Sequence, residues 1–149
     1  MSSNTEAGHT KANGNATLAI ASLAAMATYL DSSVLFVAFP DITNSFSNAT
    51  TATLSWVLNA YTITFAALLV PAGKLGDRLG PRRALYIGSV IFTLASMVCG
   101  LAGSIELLIF ARVLQGVGAA VLVPSSLALV LAAFPREKLP QVVAIWGVM

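Results

Sequence analysis

Two charged side chains lie deep inside apolar stretches: Asp31 within residues 17–39 and Arg112 within residues 105–134. A charge inside a bilayer costs about 2.5–3.5 kcal/mol even on the mildest insertion scale, so such residues usually face the interior of a helix bundle and have a function. Burial favours the neutral carboxyl group, whereas a neighbouring guanidinium favours the carboxylate. A carboxyl group balanced between these influences can alternate between free and proton- or cation-occupied states.

The depths of the two charges match if both stretches are helices. Asp31 lies nine residues before Pro40, about 13 Å from one membrane boundary at ~1.5 Å per residue. Arg112 lies eight residues after Ser104, about 12 Å from the same boundary. We therefore expect an ion pair if the first and fourth stretches are neighbours. The alternative to a working site is a pair that only neutralises charge and locks packing.

Three uncharged polar side chains are candidates for the same proton or substrate pathway. Gln115 follows Arg112 by three residues and shares its helix face. Asn59 and Tyr61 lie in the second apolar stretch, where single polar residues also form ordinary hydrogen bonds between helices.

The composition places these residues in a membrane protein. Of 149 residues, 57% are apolar and 9% are charged, whereas soluble domains are about 25% charged. A water-exposed globule and a disordered chain are both excluded. One cysteine (Cys99) and one histidine (His9) provide no internal disulfide, no metal site and no nucleophile–base pair. We expect no catalytic residues, no metal, no cofactor and no enzyme activity, and Cys99 is interpreted as a structural thiol.

The elements that position these residues are predicted to be transmembrane helices. Residues 1–16 are polar and small and predict a disordered cytoplasmic tail, and residues 17–149 predict one incomplete helix bundle. A cleaved signal peptide is the rival interpretation of the first stretch, but the apolar character continues to Phe39. The fold class is all-α integral membrane, with spans at about 17–39, 53–73, 84–102 and 105–134 and the start of a fifth at 142–149.

The positive charges predict the orientation of the bundle. Short loops rich in lysine and arginine face the cytoplasm. The connections at 40–52 and 103–106 contain no cation. A net charge of +2 distributed in this way indicates a multi-pass protein of the plasma membrane with a cytoplasmic N-terminus, and no nucleic-acid partner. Seven of the eight cations fall on the cytoplasmic side: Lys11, Lys74, Arg78, Arg82, Arg83, Arg136 and Lys138.

Small residues predict where helices approach closely. Gly116, Gly118 and Ala120 form a small-residue face on the fourth span, and Gly116 and Ala120 have the spacing typical of helix packing. Ser96 and Gly100 have the same spacing on the third span and are interpreted likewise.

The connection between spans two and three resembles motif A of the major facilitator superfamily, G-x-L-x-D-R-x-G-R-[KR]-x. Pro81 stands where that motif usually has a cation. The resemblance implies that residues 73–83, including Arg83, gate the cytoplasmic side, and the alternative is a basic loop that only sets topology. The matching residues are Gly73, Leu75, Asp77, Arg78, Gly80 and Arg82.

Two further stretches are similar to the same superfamily. Residues 112–120 resemble motif B of the drug:proton antiporters, which is linked there to proton coupling, and residues 30–40 and 56–61 resemble the 14-span drug exporter subfamily. The resemblance implies a partial N-terminal transporter bundle whose helices one and four line a central cavity. It further implies proton-coupled efflux of small, drug-like, amphipathic or cationic compounds, with the proton gradient as the energy source.

Two alternatives differ from an active exporter. The resemblance implies an N-terminal half of six helices, and this chain reaches only the beginning of a fifth span at Met149. A truncated membrane protein without transport activity of its own is therefore one alternative. A four-span small multidrug carrier that dimerises around Asp31 is the other, although such chains are shorter. The expected partners are the lipid bilayer, protons, a small-molecule substrate and the remaining helices of the same transporter.

Overall fold

The computed structural model describes the backbone of residues 3–148 and the side chains of residues 16–148. Within that range the chain forms helices and no strand. Four helices are long and apolar enough to cross a membrane. The predicted all-α membrane architecture is thus confirmed. The elements are α1 Ser3–Ser45, α2 Thr51–Leu79, α3 Pro81–Gly100, α4 Ile105–Ala133, a short 3₁₀ turn Arg136–Lys138 and α5 Leu139–Val148.

The N-terminal end of α1 overlaps the segment predicted as a disordered tail. The helical backbone begins at Ser3, within residues 1–16. The side chains before Ala16 lie outside the described part of the chain, so the tail stays a prediction. The part of α1 that is long and apolar enough to cross a membrane is Ala16–Ser45.

The first connection is shorter than its polar composition predicts. Residues 40–52 are expected to form a loop, yet α1 continues through Pro40 to Ser45. A proline inside a helix lacks one backbone hydrogen bond. The helix continues because its end packs into an apolar cluster shared with α2 and α4, and this burial offsets the missing bond. The cluster includes Leu35, Phe39, Ile42, Leu54 and Leu108.

The second connection, residues 74–83, is almost entirely helical. Its charged residues extend α2 to Leu79, and α3 begins at Pro81. Only Gly80 leaves the helical conformation, with φ 86°, which glycine adopts without the strain of a side chain. Lysine and arginine favour helix, so the basic run continues α2 and does not end it.

Helix α4 lies at the centre of the bundle and packs against α1, α2, α3 and α5. Its glycines permit the closest approaches. A Cβ atom on Gly118 would lie 2.6 Å from the backbone nitrogen of Phe92 in α3. A Cβ atom on Gly116 would lie 2.9 Å from the carbonyl oxygen of Tyr61 in α2, and Ala120 is fully buried. The small-residue face of α4 is therefore a packing face.

The other predicted small-residue pair does not mark a helix contact. A Cβ atom on Gly100 would meet no atom within 4 Å, so the spacing of Ser96 and Gly100 does not produce close packing. The close approach of α3 occurs at Gly88, whose added Cβ would lie 2.8 Å from the backbone nitrogen of Leu122.

Candidate functional site

The two charges inside the spans meet in the structure. Arg112 Nη1 donates a hydrogen bond to Asp31 Oδ2 at 2.5 Å, which joins α4 to α1. The arginine side chain is 4% exposed and the aspartate side chain 19% exposed. The arginine of the pair is therefore almost fully shielded, whereas part of the aspartate side chain is exposed.

Gln115 closes a ring of hydrogen bonds around this pair. Its Oε1 accepts from Arg112 Nη1 at 2.7 Å, and its Nε2 donates to Asp31 Oδ1 at 2.6 Å. The amide thus presents its acceptor to the cation and its donor to the anion, and the side chain is fully buried. We call Asp31, Arg112 and Gln115 the charge ring. All three hydrogen bonds between these side chains are formed when Asp31 is ionised.

Helix α2 holds the guanidinium of the charge ring from a second side. Arg112 Nε donates to the carbonyl oxygen of Val57 at 3.3 Å. The guanidinium carbon lies 4.5 Å from the centre of the Tyr61 ring, and this ring is stacked on Phe65 with centroids 6.1 Å apart. A desolvated cation–π contact contributes about 2 kcal/mol. Arg112 is therefore fixed to α2 independently of its bond to Asp31.

Helix α3 contributes a weaker contact that the sequence does not predict. Cys99 is half-buried, and its thiol donates to Gln115 Oε1 at 3.6 Å. The amide oxygen thus accepts from both Cys99 and Arg112, which further fixes the orientation of the amide. The charge ring is consequently supported by α1, α2, α3 and α4.

Asn59 lies away from the site. Its side chain is exposed, whereas Val57 and Tyr61 on either side of it are buried against the bundle. Two residues along a helix correspond to a turn of about 200°, so Asn59 points away from the face that Val57 and Tyr61 share. The structure therefore brings Asp31, Arg112, Gln115 and Tyr61 together and leaves Asn59 out.

The predicted gating residues form a separate charged surface at the end of the bundle. About 24 Å of helix separates Tyr61 from Asp77. Asp77 borders a cavity of about 150 Å³ that is also lined by Pro81 and Ser125. Among residues 16–148 the single ion pair is Arg112–Asp31, so no cation lies within 4.0 Å of the Asp77 carboxylate. Gly73 and Gly80 are half-buried, and the charged side chains Asp77, Arg78, Arg82 and Arg83 are exposed.

Known proteins are similar to this chain in sequence. A family model described as Major Facilitator Superfamily matches residues 21–149. The chain is 41% identical over 121 residues to an uncharacterized MFS-type transporter, EfpA, of Mycobacterium tuberculosis, covering 81% of this chain and 22% of that protein. It is 41% identical over 131 residues to the multidrug efflux pump LfrA of Mycolicibacterium smegmatis, covering 87% of this chain and 26% of that protein.

A third relative is the tetracenomycin C resistance and export protein of Streptomyces glaucescens. It is 37% identical over 131 residues, which cover 88% of this chain and 24% of that protein. The chain thus spans about a quarter of the length of these relatives. The family match covers α1 from residue 21 onward, all of α2, α3 and α4, and the charge ring. This chain belongs to the major facilitator superfamily.

Proposed function

We propose that this chain is the N-terminal piece of a proton-coupled transporter that exports small drug-like, amphipathic or cationic compounds across the plasma membrane. The charge ring is the observation on which the proposal depends, because it presents one partly exposed carboxylate beside a fixed cation. Two relatives whose names state drug efflux or export, LfrA and the tetracenomycin C protein, support the same function.

Protonation of Asp31 changes the charge ring in a defined way. In the ionised state Oδ2 accepts from Arg112 Nη1. A proton on the carboxyl group removes its negative charge, so the ionic attraction to Arg112 is lost and the oxygen bonded to Nη1 becomes a weaker acceptor. The bond from Gln115 Nε2 to Oδ1 can persist because Oδ1 remains an acceptor. Proton binding therefore weakens the contact between α1 and α4.

Arg112 does not follow Asp31 when this contact weakens. Its bonds to the Val57 carbonyl and to Gln115, and its contact with the Tyr61 ring, do not involve the carboxylate. The guanidinium thus stays with α2 and α4, while α1 keeps at this site only the bond from Gln115 Nε2. This asymmetry supports a role for α1 as the element that moves when Asp31 changes its protonation state.

A proton and a cationic substrate can compete for the same carboxylate. Both need the exposed side of Asp31, since its other side is occupied by Arg112 and Gln115. Occupancy by one excludes the other, which is the requirement for exchange of substrate against protons. Uncharged amphipathic compounds would use the apolar surface beside the carboxylate, and the proton gradient supplies the energy.

The proposed orientation places the N-terminus and the turn at Gly80 in the cytoplasm. The positive-inside rule supports it, because seven of the eight cations lie on that side. The exposed charges of residues 77–83 flank a single non-helical residue between α2 and α3. We propose that this turn gates the cytoplasmic side, together with the remaining helices of the transporter.

Dye efflux from cells tests the proposed function. The complete reading frame that contains this chain is expressed, and efflux of a cationic dye is measured with and without a protonophore. Asp31→Asn is expected to abolish protonophore-sensitive efflux at an unchanged amount of protein in the membrane. The matched control is Asp41→Asn, an exposed carboxylate at the end of α1, which should leave efflux unchanged. Normal efflux by Asp31→Asn would exclude the proposed role.

A further inference from the structure

A cavity of about 380 Å³ opens beside the turn at Gly80, away from the charge ring. It lies between the start of the membrane-spanning part of α1, the α2–α3 turn and the end of α4. Cavities that hold small ligands are typically about 300–1,000 Å³. Its lining residues are Thr17, Leu79, Gly80, Pro81, Arg82, Arg83, Leu129, Ala132 and Ala133.

The lining combines an apolar floor with two cations. Leu79, Leu129 and the alanines supply hydrocarbon surface, and Arg82 and Arg83 are exposed. Among the described residues that line the cavity, none is acidic. Across residues 16–148, no carboxylate lies within 4.0 Å of either guanidinium. Both cations thus remain available to an anion at the cavity.

The position of the cavity restricts the anion that fits it. It lies at the end of the membrane-spanning helices, where a lipid headgroup meets its acyl chains. Basic pockets between helices on the cytoplasmic side of membrane proteins suit anionic headgroups, and that leaflet is rich in anionic lipid. A free phosphate ion would use the arginines but would leave the apolar floor without a partner.

We propose that this cavity binds an anionic phospholipid, with the phosphodiester between Arg82 and Arg83 and the upper acyl chain on Leu79, Leu129 and Ala132. This lipid site rests on one part of the proposed function, namely the orientation that places the Gly80 turn at the cytoplasmic leaflet. The bound lipid would tie the α2–α3 turn to the ends of α1 and α4. Lipid composition would then act on the turn that we propose as the gate.

Lipid retention by the purified 149-residue chain tests the proposal. The chain is held in detergent, mixed with phosphatidylglycerol or phosphatidylcholine, and weighed intact by native mass spectrometry. Wild type should retain phosphatidylglycerol in preference to phosphatidylcholine. Arg82→Gln/Arg83→Gln should weaken phosphatidylglycerol binding about 25-fold, because each cation near an anionic headgroup contributes about fivefold.

Two further variants separate a cavity from a diffuse charge effect. Arg136→Gln/Lys138→Gln removes the same charge from the 3₁₀ turn, which does not line the cavity, and should leave binding unchanged. Ala132→Trp keeps both arginines but fills the apolar floor, and it should abolish binding. Ala132 is exposed, so this substitution leaves the packed core intact, and circular dichroism checks the helix content.

Several results would overturn the proposal. Equal loss of binding in the Arg136/Lys138 variant would show a general charge effect, and normal binding by Ala132→Trp would place the lipid elsewhere. Displacement of phosphatidylglycerol by an equal concentration of inorganic phosphate would identify a phosphate site without a lipid. Absence of the lipid from the complete transporter would show that further helices fill the cavity. The assay needs neither transport nor a proton gradient, so its failure is distinguishable from failure of the proposed function.

Discussion

At the scale of single residues, Arg112 is held by more groups than its ion pair requires. Nε is bonded to the Val57 carbonyl, Nη1 to Asp31 and Gln115, and the ring of Tyr61 covers the guanidinium. Removing one partner of a buried ion pair leaves a charge without compensation and costs about 3–5 kcal/mol, whereas replacing both partners is often nearly neutral. The charge ring therefore makes a specific prediction about paired substitutions.

We predict that Arg112→Gln lowers the free energy of unfolding of the purified chain by about 3–5 kcal/mol, because it leaves the Asp31 carboxylate unpaired. Adding Asp31→Asn to that variant should restore most of the loss. Urea unfolding in detergent, followed by circular dichroism, measures both variants. If the two losses simply add, the two side chains do not interact as the structure describes.

The aromatic contact to Arg112 makes a second prediction. Tyr61→Phe keeps the ring over the guanidinium and should leave the unfolding free energy nearly unchanged. Tyr61→Leu keeps an apolar side chain but removes the ring, and it should cost about 2 kcal/mol. The same unfolding measurement applies, and equal losses in both variants would indicate that the hydroxyl group, and not the ring, supports Arg112.

The sequence predicted part of this site for a physical reason. Matching depth predicts the pair of Asp31 and Arg112 if spans one and four are neighbours, and helical spacing places Gln115 on the same face as Arg112. The carbonyl oxygen of Val57 could not be predicted, because every residue has a carbonyl and only the packing of α2 on α4 selects one. Asn59, a candidate because of its polarity, lies on an exposed face of α2 away from the charge ring.

At the scale of helices, the ends were harder to predict than the spans. Polarity predicts where the apolar stretches end, and helices α1 and α2 both continue beyond those ends. Residues 40–45 stay helical through contacts with other helices, which a pattern along one segment does not contain. Residues 74–79 stay helical because their charged side chains are compatible with both water and helix. Gly80 is the one residue there whose backbone requires a turn.

The close contact of α3 and α4 makes a prediction about glycines. Gly118→Ala should destabilise the bundle by about 1–3 kcal/mol, because the new methyl group would overlap the backbone of Phe92 in α3. Gly100→Ala is the matched control, since its methyl group would meet open space and alanine favours helix. Thermal unfolding in detergent compares the two. Equal stability would contradict the close approach of α3 and α4 at Gly118.

At the scale of the whole molecule, the arrangement of charge separates two regions. The charge ring lies within the bundle, and the exposed arginines lie at the end that we place in the cytoplasm. The orientation predicts the labelling of cysteines in a Cys99→Ser background by a membrane-impermeant maleimide. Asn48→Cys should react in intact cells, and Lys138→Cys only after permeabilisation. The opposite pattern would invert the proposed topology.

Coupling between protons and substrate is the central claim about the whole molecule, and it depends on Asp31. Proton movement in everted vesicles that contain the complete transporter tests it most directly. A pH-sensitive dye reports the proton gradient while a cationic substrate is added, and substrate binding is measured separately. Wild type is predicted to release part of the gradient on addition of substrate, and Asp31→Asn to release none while substrate remains bound to the protein. Substrate-dependent proton flux in Asp31→Asn equal to that of wild type would contradict the account.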